Sequence, residues 1–232
     1  MAAPRWLAVP AAAALAVCLS ACGGGGSSSR PSAAVLLGEA RATLDKATAV
    51  HFTLTSSGVS GSGIDLVGGS GDIVRPASLR GTFSVSTAGV QVSVEVISVG
   101  ERFWAVLPFA SKYTAVKPSQ FGLTNPATLL SPTTGVAGLL TGMSPHAHYE
   151  PSTRLQGELL DVVAGTVPGS RVPVLPDADP GKPVALTVSI DPSTHQVRRV
   201  VLRGPFISAS ATAAYTVTLT AYGEHVTVIP PS

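Results

Sequence analysis

The residue with the plainest chemistry is Cys22. It ends the run Leu19-Ser20-Ala21-Cys22, in which small side chains admit a peptidase and the thiol is acylated before cleavage. Arg5 supplies a short basic start, and Trp6 to Leu19 is an apolar stretch. That stretch is too short to span a bilayer comfortably, which takes about 20 apolar residues. We therefore read residues 1–21 as a signal peptide and Cys22 as a lipidation site, because the run resembles a bacterial lipobox and a Gly/Ser tether follows it; the competing reading is an ordinary signal peptide with an incidental cysteine. Cys18 falls inside the removed peptide, so no thiol is left for a disulfide, a metal site or a nucleophile. Two or more acyl chains on Cys22 would hold the chain on a membrane, at about 0.8 kcal/mol per buried methylene. Gly23 to Pro31 forms a Gly/Ser tether of roughly 15–18 Å. One domain, residues 32–232, then sits close above the lipid.

The other reactive side chains form weaker constellations. His146, His148 and Glu150 fall at i, i+2 and i+4. On a strand all three share a face, with the outer two roughly 13 Å apart. One metal ion would reach both histidines but not Glu150, and a solvated edge strand explains the run equally well. Gly68-Gly69-Ser70-Gly71-Asp72 lacks the last glycine of the G-x-S-x-G nucleophile elbow, and its flanking strands read as antiparallel. His51, His195 and His225 stand singly, and Asp177 and Asp179 lie in a proline-rich loop. Neither a P-loop nor a dinucleotide fingerprint occurs. The acids form no pair at strand or helix spacing suited to acid–base work. No enzyme, metal or cofactor is expected from these residues.

The elements that carry these residues follow from periodicity. Ser32 to Val50 reads as a helix with Ser32 as N-cap and Val35, Leu36, Ala40, Leu44 and Ala47 near helical spacing. Strands follow at His51–Ser57, Ile64–Val74, Leu79–Ser86, Val90–Val96, Arg102–Leu107 and Lys112–Val116, a sequence of short connections that argues for an antiparallel meander. The alternation is cleanest where Val90, Val92, Val94 and Val96 oppose Gln91, Ser93 and Glu95. Asn125-Pro126 fits N-cap and N1 of a short helix holding Leu129 and Leu130, stopped before Pro132. Thr134 to Met143 places Val136, Leu139, Leu140 and Met143 on one helical stripe. Gly135, Gly138 and Gly142 weaken that helix by about 1 kcal/mol each relative to Ala, so they need a reason: close approach to a sheet or ligand, or a mobile lid. Strands return at His146–Arg154, Leu159–Val167, Val184–Ile190, Gln196–Leu202, Tyr215–Ala221 and Val226–Ile229, around an irregular proline-rich stretch from Pro168 to Pro183.

Composition narrows the function. The chain has 232 residues, 45% hydrophobic and only 12% charged, with a formal net charge of +2. Ordinary soluble domains carry roughly 25% charged residues. High apolar content with low net charge excludes a disordered chain. The concentrated basic face needed to bind nucleic acid is missing. What remains is apolar surface. The valine faces and the Val136/Leu139/Leu140 stripe either fill an ordinary core or line a cavity for alkyl chains.

A family resemblance bears on that choice. Asn125-Pro126-Ala127-Thr128-Leu129-Leu130 with Thr134-Gly135-Val136-Ala137-Gly138-Leu139-Leu140 resembles the D-P-x-x-L-L…T/K-G-L-x-x-L-L segment of the mycobacterial LppX/LprA/LprF/LprG lipoproteins. Leu219 to Val228 is similar to their L-S-x-W-G-x-x-V-x-V ending, with Tyr222 at the tryptophan position, and Pro183 to Ile190 to their P-x-T-V-W-I strand. The resemblance implies an α+β fold: a curved antiparallel half-barrel with helices across its concave face, enclosing an apolar cavity. It implies a carrier of acylated lipids or glycolipids across the cell envelope, of the triacylated phosphatidylinositol mannoside, lipoarabinomannan or triacylglycerol class. It further implies a lipid efflux transporter and host Toll-like receptor 2 as partners. The location implied is the outer face of the membrane, with cell-wall or secreted forms. The expected cavity residues are Val92, Val94, Val96, Leu129, Leu130, Val136, Leu139, Leu140, Val188 and Ile190. The competing expectation is a surface lipoprotein with a solid core, acting as an interaction module or accessory subunit of an envelope transporter.

Overall fold

The computed structural model describes residues 30–59, 64–121, 124–172, 181–208 and 211–231. Cys22, the signal peptide, most of the tether, Asp177 and Asp179 lie outside the described residues. Helix α1 spans Ala33–Lys46, and the Ser32 hydroxyl caps it by accepting the Val35 N–H at 3.3 Å. Its buried stripe is Ala33, Leu36, Leu37, Ala40 and Leu44, while Val35 points outward. The helix stops earlier than the expected Val50. The Arg75 guanidinium donates to the Leu44 and Ala47 carbonyls at 3.1 and 3.0 Å, satisfying orphan acceptors at the helix end. From Ala49 the chain is β1, where ladder bonds on two sides outweigh another helical turn.

Eleven strands form one antiparallel sheet. After β1 (Ala49–Ser57) come β2 (Ile64–Val74), β3 (Ser78–Thr87), β4 (Val90–Val99), β5 (Arg102–Val106) and β6 (Thr114–Ala115). A helical passage then holds a 3-10 turn at Pro126–Leu130, helix α2 (Val136–Met143) and a 3-10 turn at Ser144–His146. The chain returns through β7 (His148–Leu155), β8 (Glu158–Pro168), β9 (Pro183–Ile190), β10 (Val197–Ser208) and β11 (Ala211–Thr220). The spatial order β6-β5-β4-β3-β2-β1-β11-β10-β9-β8-β7 is two meanders sewn together where β1 pairs with β11. Irregular register at Leu66/Gly68, Glu150/Thr153, Val197/Arg199 and Gly204/Ser208 bends the sheet into a curved, open half-barrel.

Several strand expectations change. The expected Lys112–Val116 strand shrinks to the two residues Thr114–Ala115, and the Tyr215–Ala221 strand begins earlier, at Ala211. The expected Val226–Ile229 strand is an unpaired tail, because Gly223 turns back to bond the Ala49 carbonyl at 2.9 Å. The His146–Arg154 strand begins only at His148, since Pro145 lies in a 3-10 turn. The β10 strand runs six residues beyond Leu202, to Ser208.

The inward faces, α1, α2 and the Pro126–Leu130 turn share one hydrophobic core, all of it between Ala33 and Leu219. The helices are unevenly placed on it. Helix α2 lies on β8 and against α1, and α1 also meets β7; the Pro126–Leu130 turn lies over β2 and β3. The sheet thus has a covered limb, β7–β10, and a lightly roofed limb, β2–β5.

Candidate functional site

The lightly roofed limb is hollow. Period-two alternation aims Leu54 of β1, Phe83 and Val85 of β3, and Val92, Val94 and Val96 of β4 to one side. On β2 a strict alternation would part Leu66 from Gly69. The irregularity after Leu66 inserts one residue, so Leu66, Gly69, Gly71 and Ile73 all face inward. The glycines then act by absence. A Cβ on Gly69 would lie 2.8 Å from the Phe83 ring, and one on Gly81 would lie 2.6 Å from the Ser70 carbonyl. A Cβ on Gly71 would meet the Arg80 carbonyl. Pairings set Phe52, Gly71, Gly81 and Val96 in one row across four strands, and at its two glycines the neighbouring backbone leaves no room for a side chain. Phe52 and Phe83 stack with centroids 5.7 Å apart.

Between this sheet face and the Pro126–Leu130 turn lies a cavity of about 190 Å³ with an apolar lining broken only by Thr87 and Thr124. A second cavity of about 50 Å³ continues beneath α2, reaching Val136, Leu139, Val172, Val200 and Tyr215. The two share Leu54, Leu66, Leu129 and Val217 as a common wall. The larger has a closed and an open end. Phe52, Phe83, Phe103 and Ala105 in its lining are buried, whereas Thr87, Pro108 and Thr124 are exposed.

Leu129 is held in the roof by polar contacts at the margin. Asn125 Oδ1 accepts the Ala127 N–H at 3.0 Å and lies 3.0 Å from the Ser98 hydroxyl; its Nδ2 donates to the Gly100 carbonyl at 3.1 Å. Asn125 is thus an N-cap and a tie to the β4–β5 turn, as Pro126 at N1 requires. Ser98, fully buried on β4, escaped the sequence reading because its partner lies 27 positions away. Two of the three glycines of the α2 segment, Gly135 and Gly138, also find their reason. A Cβ on Gly135 would meet the Leu129 carbonyl, and one on Gly138 the Thr133 carbonyl, so the helix backs directly onto the preceding turn. Arg41 of α1 fastens α2 by donating to Thr141 Oγ1 at 2.8 Å.

The structure brings Val92, Val94, Val96 and Leu129 together around the larger cavity and places Val136 and Leu139 on the smaller. Leu130, Leu140, Val188 and Ile190 are buried in the core, outside the lining of either. Val188 and Ile190 belong to the covered limb, on β9 next to β8, the strand on which α2 lies. The reactive side chains do not converge here. His148 Nε2 lies 3.2 Å from Glu150 Oε1 on an exposed strand, with His146 off that strand. Among the described residues no group of three could hold a metal ion. Ser70 sits mid-ladder in β2 with no strand-to-helix elbow, and the His51–Asp72 pair, 2.7 Å apart, faces away from the cavity.

The chain is thus a curved antiparallel half-barrel, partly roofed by helices, that holds an apolar trough. The chain belongs to the LppX_LprAFG lipoprotein family, whose model matches residues 32–228. Two solved structures share the fold. LprF from Mycobacterium bovis superposes with a TM-score of 0.70 at 15% identity, covering 86% of this chain and 97% of that one. Lipoprotein LppX from Mycobacterium tuberculosis gives 0.58 at 21% identity, covering 84% and 98%. A search of curated protein sequences gives no match. No helix among the described residues is long and apolar enough to cross a membrane.

Proposed function

We propose that this protein is anchored by an acylated Cys22 after removal of residues 1–21, and that it carries acylated lipids or glycolipids across the cell envelope without making or breaking bonds in them. The carrying observation is the cavity of the lightly roofed limb, whose lining holds valine, leucine and phenylalanine and almost no polar atom. An alkyl chain moved from water into such a site gains about 25 cal/mol per Å² of buried surface. Cargo lifted from a bilayer starts in hydrocarbon and gains far less. Loading is then close to reversible, as a carrier requires, and selection falls to headgroup contacts at the open end. Triacylated phosphatidylinositol mannosides, lipoarabinomannan and triacylglycerols match the apolar demand.

The test is native mass spectrometry of the mature chain with Cys22→Ala, made in an actinobacterial host. Adducts with the mass of acylated lipids are expected. Ligand-free protein that also refuses offered triacylated lipids would overturn the reading. Val94→Trp adds a large side chain to the wall of the larger cavity, and a severalfold loss of bound lipid with an unchanged fold is expected.

A further inference from the structure

The open end of the cavity carries an apolar surface that its contents do not explain. Phe109 is fully exposed and Val90 is 60% exposed. Pairing of Glu95 with Val106 runs the following residues alongside the first half of β4, so both side chains stand at one end of the sheet. Single exposed apolar residues are ordinary on protein surfaces. Three observations set this one apart. Phe109 directly follows Leu107 and Pro108, which line the cavity where it opens. Its φ is 68°, a region that bulky residues rarely occupy, and it is held there by a turn in which Ala110 N–H donates to the Leu107 carbonyl at 2.9 Å. Strain of this kind persists where the surroundings enforce it and gathers at binding elements. Finally, residues 107–117 contain two lysines and no acid, with Lys112 exposed. Glu95 of β4 accepts the hydroxyl of Tyr113 in the same loop at 3.1 Å.

We propose that the 107–117 loop, with Phe109 at its tip and Val90 beside it, enters the surface of an anionic lipid bilayer and seats the open end of the cavity on it. An aromatic tip belongs at the acyl boundary, while a lysine with a long apolar stem reaches the phosphate level. Acyl chains then pass between bilayer and cavity without crossing water. This rests on the carrier reading for its purpose but not for its test. The alternative occupant, a protein groove, would leave lipid vesicles without effect.

The experiment uses the mature chain with Cys22→Ala, which retains the whole core. In a Trp104→Phe background, Phe109→Trp provides one fluorophore at the tip. Vesicles of phosphatidylglycerol and phosphatidylcholine should shift its emission to the blue, and brominated acyl chains should quench it. In a second arm, Phe109→Ser should slow uptake of a fluorescent diacyl lipid from those vesicles by about tenfold, with loading from detergent micelles intact. Emission that vesicles do not move, or uptake that Phe109→Ser does not slow, overturns the loop as a membrane surface. A chain that loads nothing from micelles yet shows the quenched, shifted emission overturns the carrier reading and supports the loop.

Discussion

The two limbs of the sheet are built on the same alternation and end as different materials. In β9, Val184, Leu186, Val188 and Ile190 are all fully buried. In β4, Val92 and Val94 are only half-buried, although their spacing is identical. The difference lies above the strands. Helices α1 and α2 share the core of the covered limb, whereas the 3-10 turn at Pro126–Leu130 is the element lying over β2 and β3. Both limbs carry an inward glycine under a large side chain, Gly69 beneath Phe83 on one and Gly165 beneath Met143 on the other. A sheet face becomes a wall or a core according to what is laid on it, and alternation by itself decides neither.

The largest effect should separate the limbs directly. Leu186→Ala removes a side chain packed on every side, and we expect a loss of about 3 kcal/mol in chemical denaturation. Val94→Ala enlarges a space that is already empty, and we expect less than about 1 kcal/mol. Equal losses would show that the lightly roofed limb is as solid as the other. Lipid loading should respond in the opposite sense, with Val94→Trp reducing bound lipid while leaving denaturation nearly unchanged.

Glycines give the next contrast. Gly81→Ala drives a Cβ to 2.6 Å from the Ser70 carbonyl, where only backbone can yield, and should cost about 1–3 kcal/mol. Gly142→Ala meets nothing closer than 3.5 Å on an α-helix, and should gain about 0.5 kcal/mol. Thermal melts of the pair test whether glycine is required by close backbone approach or merely tolerated. A neutral Gly81→Ala would remove the steric account of the tight β2–β3 pairing.

Much of this was legible from periodicity. The alternation of Phe52 and Leu54, the Ser32 and Asn125 caps, and the Val136/Leu139/Leu140 stripe all appear as the residue types demand. The limits are equally physical. Val188 and Ile190 alternate as cleanly as Val92 and Val94, so the pattern could not tell a roofed strand from an open one. Leu66 and Gly69 share a face only because of an irregularity in register, which no two-residue period reveals. The β1–β11 seam joins residues about as far apart in the chain as His51 and Thr220, beyond reach of local signals. Phe109 lies between the expected strands Arg102–Leu107 and Lys112–Val116, and its exposure depends on a backbone turn rather than on composition.

The smallest effects compare one hairpin turn from each limb. The β3–β4 turn of the hollow limb puts Ala88 at φ 49° and Gly89 at φ 79°, a pair of left-handed residues for which Asn-Gly is the preferred filling. Ala88→Asn should therefore gain about 0.5 kcal/mol, seen as a small rise in Tm. The β9–β10 turn of the covered limb is wired instead. The Asp191 carboxylate accepts the Ser193 N–H at 2.7 Å, the Ser193 hydroxyl at 2.6 Å and the Thr194 N–H at 3.2 Å. Partial burial pushes this carboxyl up, but those donors outweigh it and hold it below its ordinary 3.8. A carboxyl with a lowered folded-state pKa stabilises the fold above its unfolded value, and that stability is lost as pH falls through the folded value. Asp191→Asn should thus cost about 1 kcal/mol at neutral pH. The Tm gap to the unsubstituted chain should close as pH drops below the carboxylate range, while the Ala88→Asn gain persists unchanged. A gap that ignores pH would mean the covered limb's turn is held by backbone shape alone, as the hollow limb's turn is.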